Sequence, residues 1–388
     1  MANKRSIAAV SGAAFLMATS AIGPGFINNT TLFTQTLAAS FGFVILISVL
    51  LDIVVQLNLW RIITASGEPA QVIANKVLPG LGHVLTVLVA SGGLLFNIGN
   101  IAGCALGLKV LTGCSLQAGA LISAALAVFI FMVKNAGRAM DWFTRILGVL
   151  MILLTAYVCF KAKPGLGEAL SKTFIPDKFN GLIILTIVGG TVGGYISFAG
   201  AHRLLESGIR NTQQVTRGAI SGIAIASVMR YILFLAAFGI VAQGVSLAAT
   251  NPAETVFRSA AGTVGQKLFG LVLWSAAITS VVGSAFTSVS FLQSLHGSIA
   301  VNKRTAIVIF IAISTVIFLL VGQPVRLLTL AGAANGIILP VALAIMLWAV
   351  YKQKTGSGYK HPKWLWLAGW AVVLVMGYMS VVEMAKKF

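Results

Sequence analysis

Two short stretches carry the residues of this chain best placed to do chemistry: Gly23-Pro24-Gly25-Phe26-Ile27-Asn28-Asn29, and Gly189-Gly190-Thr191-Val192-Gly193-Gly194. Each lies inside a long apolar run, where a membrane helix ordinarily avoids clustered glycine and proline. Breaking a helix there frees N–H groups at the start of the second half-helix and C=O groups at the end of the first. Irregular backbone survives in hydrocarbon only where it is buried in protein or lines a wet cavity. The freed groups are ready ligands for an ion or a polar solute. The positive end of a half-helix starting near Phe26 to Asn28 favours an anion or a carboxylate. The competing reading is that the glycines serve only close helix packing or a kink. Asn28 and Asn29 are likewise open to two readings, as substrate partners or as caps of the second half-helix.

Asp52 and Arg230 are the ionisable residues that fall well inside apolar runs. Charges at membrane depth mark ion pathways, gates or buried pairs. These two are candidates for pairing with each other, for lining a gate or for coupling an ion. His202, with Arg203 and Glu206, ends another apolar run and reads as an inner gate or a capping cluster. Trp364, Trp366 and Trp370 read as a belt at a membrane interface. No Ser-His-Asp, HExxH or phosphate-loop pattern occurs, and the 4 histidines are scattered. Neither an enzyme nor a bound metal or other cofactor is expected.

The elements that must position these residues follow from composition. The chain has 388 residues, 58% hydrophobic and 9% charged, with a mean hydropathy of +0.97. Soluble domains carry about 25% charged residues, so this is an all-α polytopic membrane protein. A span needs ~20 apolar residues. Eleven candidates stand at roughly 6–36, 39–60, 82–109, 115–133, 141–160, 179–206, 216–241, 265–290, 304–322, 324–350 and 364–386. The net charge of +19 sits in short loops between these runs, which reads as topology and excludes nucleic acid as the partner. With the amino terminus inside, sixteen basic residues fall inside and ten outside, which favours a cytoplasmic N-terminus and an outer C-terminus. A cleaved signal peptide is the weaker reading of residues 1–25, because the apolar run resumes at once after the break. Cys104, Cys114 and Cys159 have no paired spacing and read as small apolar residues in helices.

Spans 1–5 and 6–10 form halves of similar length, with a further span appended, giving a first repeat over 1–163, a second over 164–352 and a last helix within 353–388. The first span of each half is the glycine-interrupted one. Broken helices at matching positions in two halves point to an inverted-repeat secondary transporter with its substrate site at the midplane. An odd number of spans per half supplies the inversion.

At these residues the chain resembles the NRAMP family of divalent-metal transporters, which have a LeuT-type 5+5 inverted-repeat fold with broken helices 1 and 6. The family's helix 1 runs from Gly-x-Ala-Phe to Asp-Pro-Gly-Asn; here Gly12, Ala14 and Phe15 lead to Gly23-Pro24-Gly25-Phe26. The resemblance places Gly23 where the metal-binding Asp belongs and Phe26 where the Asn belongs. In helix 6 it places Gly193 at the metal-binding Met and Tyr195 at the His. In helix 3, Asn97 and Asn100 replace two acids used for proton movement, and in helix 10 Asn335 stands at the first Gln. The likeness extends to the fold and stops at the family's chemistry.

A divalent cation needs acids, imidazoles or thioethers in exchange for its water. Here the set is backbone groups with Asn28, Asn29, Thr30, Thr31, Gly194, Tyr195, Asn97, Asn100 and Asn335, neutral and rich in donors. It suits a small anion or zwitterion such as bicarbonate, a carboxylate or an amino acid, moved by alternating access across a bacterial cytoplasmic membrane. Divalent-metal transport and a non-transporting receptor or accessory subunit are the competing expectations. The lipid bilayer and a small solute are the partners expected, and a monomer is compatible with the sequence.

Overall fold

Apolar segments that must satisfy every backbone group internally fold as helices. The computed structural model describes residues 22–132, 136–295, 299, 301–355 and 358–386, and no strand occurs among them. The helices are α1 (Pro24–Leu37), α2 (Phe41–Ser66), α3 (Ala70–Val77), α4 (Leu81–Thr112), α5 (Leu116–Met132), α6 (Ala136–Ala162) and α7 (Leu166–Phe174). There follow α8 (Gly181–Gly189), α9 (Gly194–Glu206), α10 (Thr212–Ala242), α11 (Pro252–Leu292), α12 (Lys303–Val321), α13 (Pro324–Tyr351) and α14 (Lys363–Ala385).

The helix ends have local causes. Pro24 opens α1 because its fixed φ suits the first helical position, where no N–H is needed. Side-chain oxygens of Asn180 and Asn211 accept backbone N–H groups at the starts of α8 and α10. The φ of 63° at Gly262 kinks α11.

Among the described residues, 8 segments are long and apolar enough to cross a membrane, or 9 counting one bent pair. That pair is Ile146–Ala162 and α7, which meet at 109° across Lys163-Pro164-Gly165. α5 is apolar but only 17 residues long. Of the expected runs from 39–60 onward, 179–206 is divided between α8 and α9, and the others each fall on one main helix. The first part of run 6–36, including Gly12, Ala14 and Phe15, lies outside the described residues.

α4 is the hub of the bundle, packing against α11, α13, α5, α3, α12, α9 and α1. α2 packs mainly on α10, α9, α7, α8 and α14. The last helix is tied down rather than merely resting at an interface. Asn58 of α2 donates to the Leu365 carbonyl at 3.1 Å and meets the His361 ring at 2.9 Å. Trp366 donates to the Leu347 carbonyl, so of the three expected belt tryptophans Trp364 is the one left mostly exposed. All three cysteines are free, and Cys114 lies in the turn between α4 and α5 instead of in a helix.

Candidate functional site

Helix α1 begins two residues earlier than the sequence suggests, and the half-helix expected before Gly23 lies outside the described residues. Gly23 is extended and Pro24 is already helical, and the first intrahelical bond runs from Ile27 N–H to Gly23 C=O at 3.2 Å. The N–H groups of Gly25 and Phe26 therefore have no acceptor within the helix. An added methyl at Gly25 would meet the Leu328 carbonyl oxygen at 3.8 Å, an ordinary van der Waals contact. Asn28 and Asn29 fall in the second turn, too late to cap α1, and both are buried. Asn28 donates to Asn29 Oδ1 at 3.3 Å, and that oxygen also accepts from Thr329 of α13 at 2.9 Å. Thr31 and Thr34 bond back to the helix's own carbonyls, while the Thr30 hydroxyl is buried without a partner.

The second break spans Gly190–Gly193, between α8 and α9. Its glycines divide into two roles. Gly189 is a packing residue, since a methyl there would run into the backbone of Gly332 and Gly336 on α13. Gly194 has a φ of +36° and lies against Asn335 Oδ1, so the turn and the contact both demand glycine. Asn335 donates to the carbonyls of Gly92 and Ala331, leaving its oxygen buried and unpartnered beside the break. Tyr195 packs edge-on against Phe96 at 5.2 Å.

The two asparagines of α4 also separate. Asn97 donates to Ser314 of α12 and accepts from Ser284 of α11, both at 2.9 Å, so it ties helices together. Asn100, one turn along, has its Nδ2 buried with no partner.

Arg230 of α10 is the residue that joins the two breaks. Its Nη2 donates to Thr191 Oγ1 at 2.6 Å, and its guanidinium lies 4.4 Å over the Phe26 ring. It is buried, and its Nε has no partner. Asp52 of α2 is buried close enough for the two charges to act on one another. No contact ion pair joins them, and Asp52 Oδ1 is also unpartnered. Among the described residues no group of three His, Cys, Asp or Glu is placed to hold a metal ion.

A cavity of 870 Å³ leads toward the breaks from one end of the bundle, with Lys109, Glu254 and Arg326 among its lining residues and Thr186, Thr329 and Ala333 on its helical walls. Away from this cavity, α9 packs against α11. Phe291 packs against Phe198 and stacks on His202 at 4.6 Å, and His202 Nε2 accepts the Ala70 N–H at the start of α3. His202 thereby caps the start of α3.

Sequence reasoning passed over Thr329, Thr186, Phe96 and Phe291. The signal for the first was available: Thr329, Gly332, Asn335 and Gly336 recur at helical spacing on one face of an otherwise apolar helix.

Comparison with known proteins agrees with this architecture. The family model described as natural resistance-associated macrophage protein-like matches residues 14–386. An uncharacterized membrane protein of Bacillus subtilis, YcsG, is 54% identical over 97% of this chain and 94% of its own length. Among solved structures, the Eremococcus coleocola manganese transporter superposes with a TM-score of 0.75 at 16% identity, covering 98% of this chain and 87% of the transporter. MhsT in complex with L-phenylalanine superposes with a TM-score of 0.66 at 18% identity, covering 97% of this chain and 98% of MhsT. The architecture is thus LeuT-type, and the chain belongs to the Nramp family.

Proposed function

We propose that this protein is a secondary transporter for a small anion or zwitterion, such as bicarbonate, a carboxylate or an amino acid, working by alternating access between the breaks at Gly23–Asn29 and Gly189–Tyr195. With a cytoplasmic N-terminus and an outer C-terminus, the 870 Å³ cavity opens to the outside. The observation that carries the reading is Arg230, a buried cation in contact with both broken spans through Phe26 and Thr191. Its Nε is buried without a hydrogen-bond partner, which is unfavourable, and an anion arriving at the freed N–H groups of Gly25 and Phe26 supplies one. A guanidinium also suits a planar carboxylate or bicarbonate geometrically. For a divalent cation the same guanidinium is repulsive.

Divalent-metal transport is the second reading, favoured by family membership and by the superposition on a manganese transporter. Uptake by purified protein in liposomes separates the two, using labelled bicarbonate, lactate, glycerate and alanine beside labelled Mn²⁺. Saturable flux of one or more of the first four without Mn²⁺ flux is the expected result. Saturable Mn²⁺ uptake with none of the other four overturns the proposal.

A further inference from the structure

We infer that Asn100 of α4 selects the class of solute: its side-chain amide donates to a neutral oxygen beside the carboxylate, so that the preferred substrate is a 2-hydroxy or 2-oxo acid such as lactate or pyruvate. This rests on the reading above, in which Arg230 receives the carboxylate, and it chooses among the solutes that the reading admits.

Helical spacing puts Phe96, Asn100 and Gly103 on one face of α4. The two ends of that stripe touch the starts of the two half-helices. Phe96 packs against Tyr195, near the start of α9. Gly103 lies so close to Pro24, at the start of α1, that a methyl there would run into its ring. From Phe96 to Gly103 the helix rises about 10 Å, and Asn100 stands on the stripe between the two contacts. It is 3% exposed, and its Nδ2 has no hydrogen-bond partner among the described residues. Asn97, one turn earlier, is taken up by Ser284 and Ser314, whereas the Asn100 amide is left over. Arg230 reaches the same two breaks from α10, through Phe26 and Thr191. A solute held by Arg230 at the start of α1 thus lies between α10 and α4, both of which pack against α1.

The chemistry of the amide then decides. Nδ2 offers N–H donors and accepts nothing, and a buried donor left unpaired is costly. The hydroxyl oxygen of lactate or the keto oxygen of pyruvate accepts from it. Propionate, with a hydrogen in that place, leaves the donor unpaired, and alanine presents an ammonium that is itself only a donor. The acceptor that would suit an ammonium, Asn335 Oδ1, lies against Gly92 and Gly194, and Gly92 is about 12 Å along α4 from Asn100. The unpartnered Thr30 hydroxyl donates or accepts equally and does not discriminate. A site built around a hydrogen bond to its substrate rejects the analogue that lacks it far more strongly than an apolar pocket does.

The test uses the full-length protein in liposomes and the saturable uptake of labelled lactate, pyruvate, propionate, alanine and bicarbonate, each measured separately. Lactate and pyruvate are expected to saturate at concentrations about tenfold or more below the other three. Asn100→Leu keeps the bulk and removes the donor, so lactate is expected to fall to the level of propionate while propionate is unchanged. Asn100→Asp exchanges the donor for an acceptor, and alanine is expected to overtake lactate, a reversal that a structural role alone does not produce. Wild-type protein that takes propionate, alanine or bicarbonate at concentrations as low as lactate overturns the inference whether or not either variant folds, and leaves the anion-or-zwitterion reading standing. Equal loss of every solute in a folded Asn100→Leu protein also overturns it. If none of the five solutes shows saturable flux, the proposed function fails first, and this inference falls with it.

Discussion

At the scale of single residues, Arg230 owes its orientation to Thr191. The bond from Nη2 to Thr191 Oγ1 is charge-assisted and buried, and such bonds contribute about 1.5–3 kcal/mol. Thr191→Val keeps the shape of the side chain and removes the acceptor. Weaker substrate binding by about tenfold or more is expected, with little change in the amount of folded protein, read as a KM or Kd shift in liposomes. Arg230→Lys keeps the charge but loses the planar fork and its place over Phe26, and an intermediate loss is expected. His361 gives a separate prediction. Burial, reinforced by the nearby Arg61 charge, holds its ring at about 4 against an ordinary value of 6.5, while its nitrogens meet Asn58 and Tyr359. Because the folded value lies below the unfolded one, the contribution to stability is complete above pH 6.5 and is lost as pH falls toward 4. Thermal unfolding midpoints in detergent should therefore drop across that window, and His361→Asn should flatten the profile.

At the scale of elements, the glycines of the two breaks are expected to behave in opposite ways. Gly189 is clamped between α8 and α13, and Gly189→Ala overpacks that contact, a change that costs about 1–3 kcal/mol. It should lower the unfolding midpoint. A methyl at Gly25 would make only an ordinary contact, 3.8 Å from the Leu328 carbonyl, so Gly25→Ala should leave the midpoint in place while, on the proposed reading, weakening substrate binding at the start of α1. Equal effects on stability at both sites would remove the distinction. This contrast also marks how far the sequence could be read. Glycine clustering located both interruptions, yet it carries no information about which glycine meets a neighbouring helix, since Gly332 and Gly336 lie far along the chain. Proline at the first helical position moved the start of α1 to Pro24, which the emphasis on Phe26 to Asn28 missed. Asn97 and Asn100, three residues apart, looked equivalent until Ser284 and Ser314 were seen to occupy one of them. Partners of that kind come from tertiary packing.

At the scale of the whole molecule, the described helices leave a cavity at one end and pack closely around Phe198 and Phe291 away from it. The cavity is bounded by α1, α4, α8, α13 and the segment before α11, and the close packing, the seal of the proposed cycle, is made by α9 against α2, α4 and α11 through Phe198, Phe291 and His202. On the proposed alternating-access reading, these two ends exchange roles around Arg230. Single cysteines at Ala333, which lines the cavity, and at Phe198, which is fully buried in the seal, therefore report different states. The native Cys104, Cys114 and Cys159 are first replaced by serine or alanine, which is sterically mild because none is in a disulfide. In intact cells a charged, membrane-impermeant thiol reagent should modify Ala333→Cys readily and Phe198→Cys hardly at all. In inside-out vesicles supplied with a transported anion the order should reverse, as α9 parts from Phe291 and the seal opens. Reaction at Ala333→Cys from the cytoplasmic side alone would invert the assigned topology. Labelling of Phe198→Cys that ignores substrate would mean that α9 stays shut during transport.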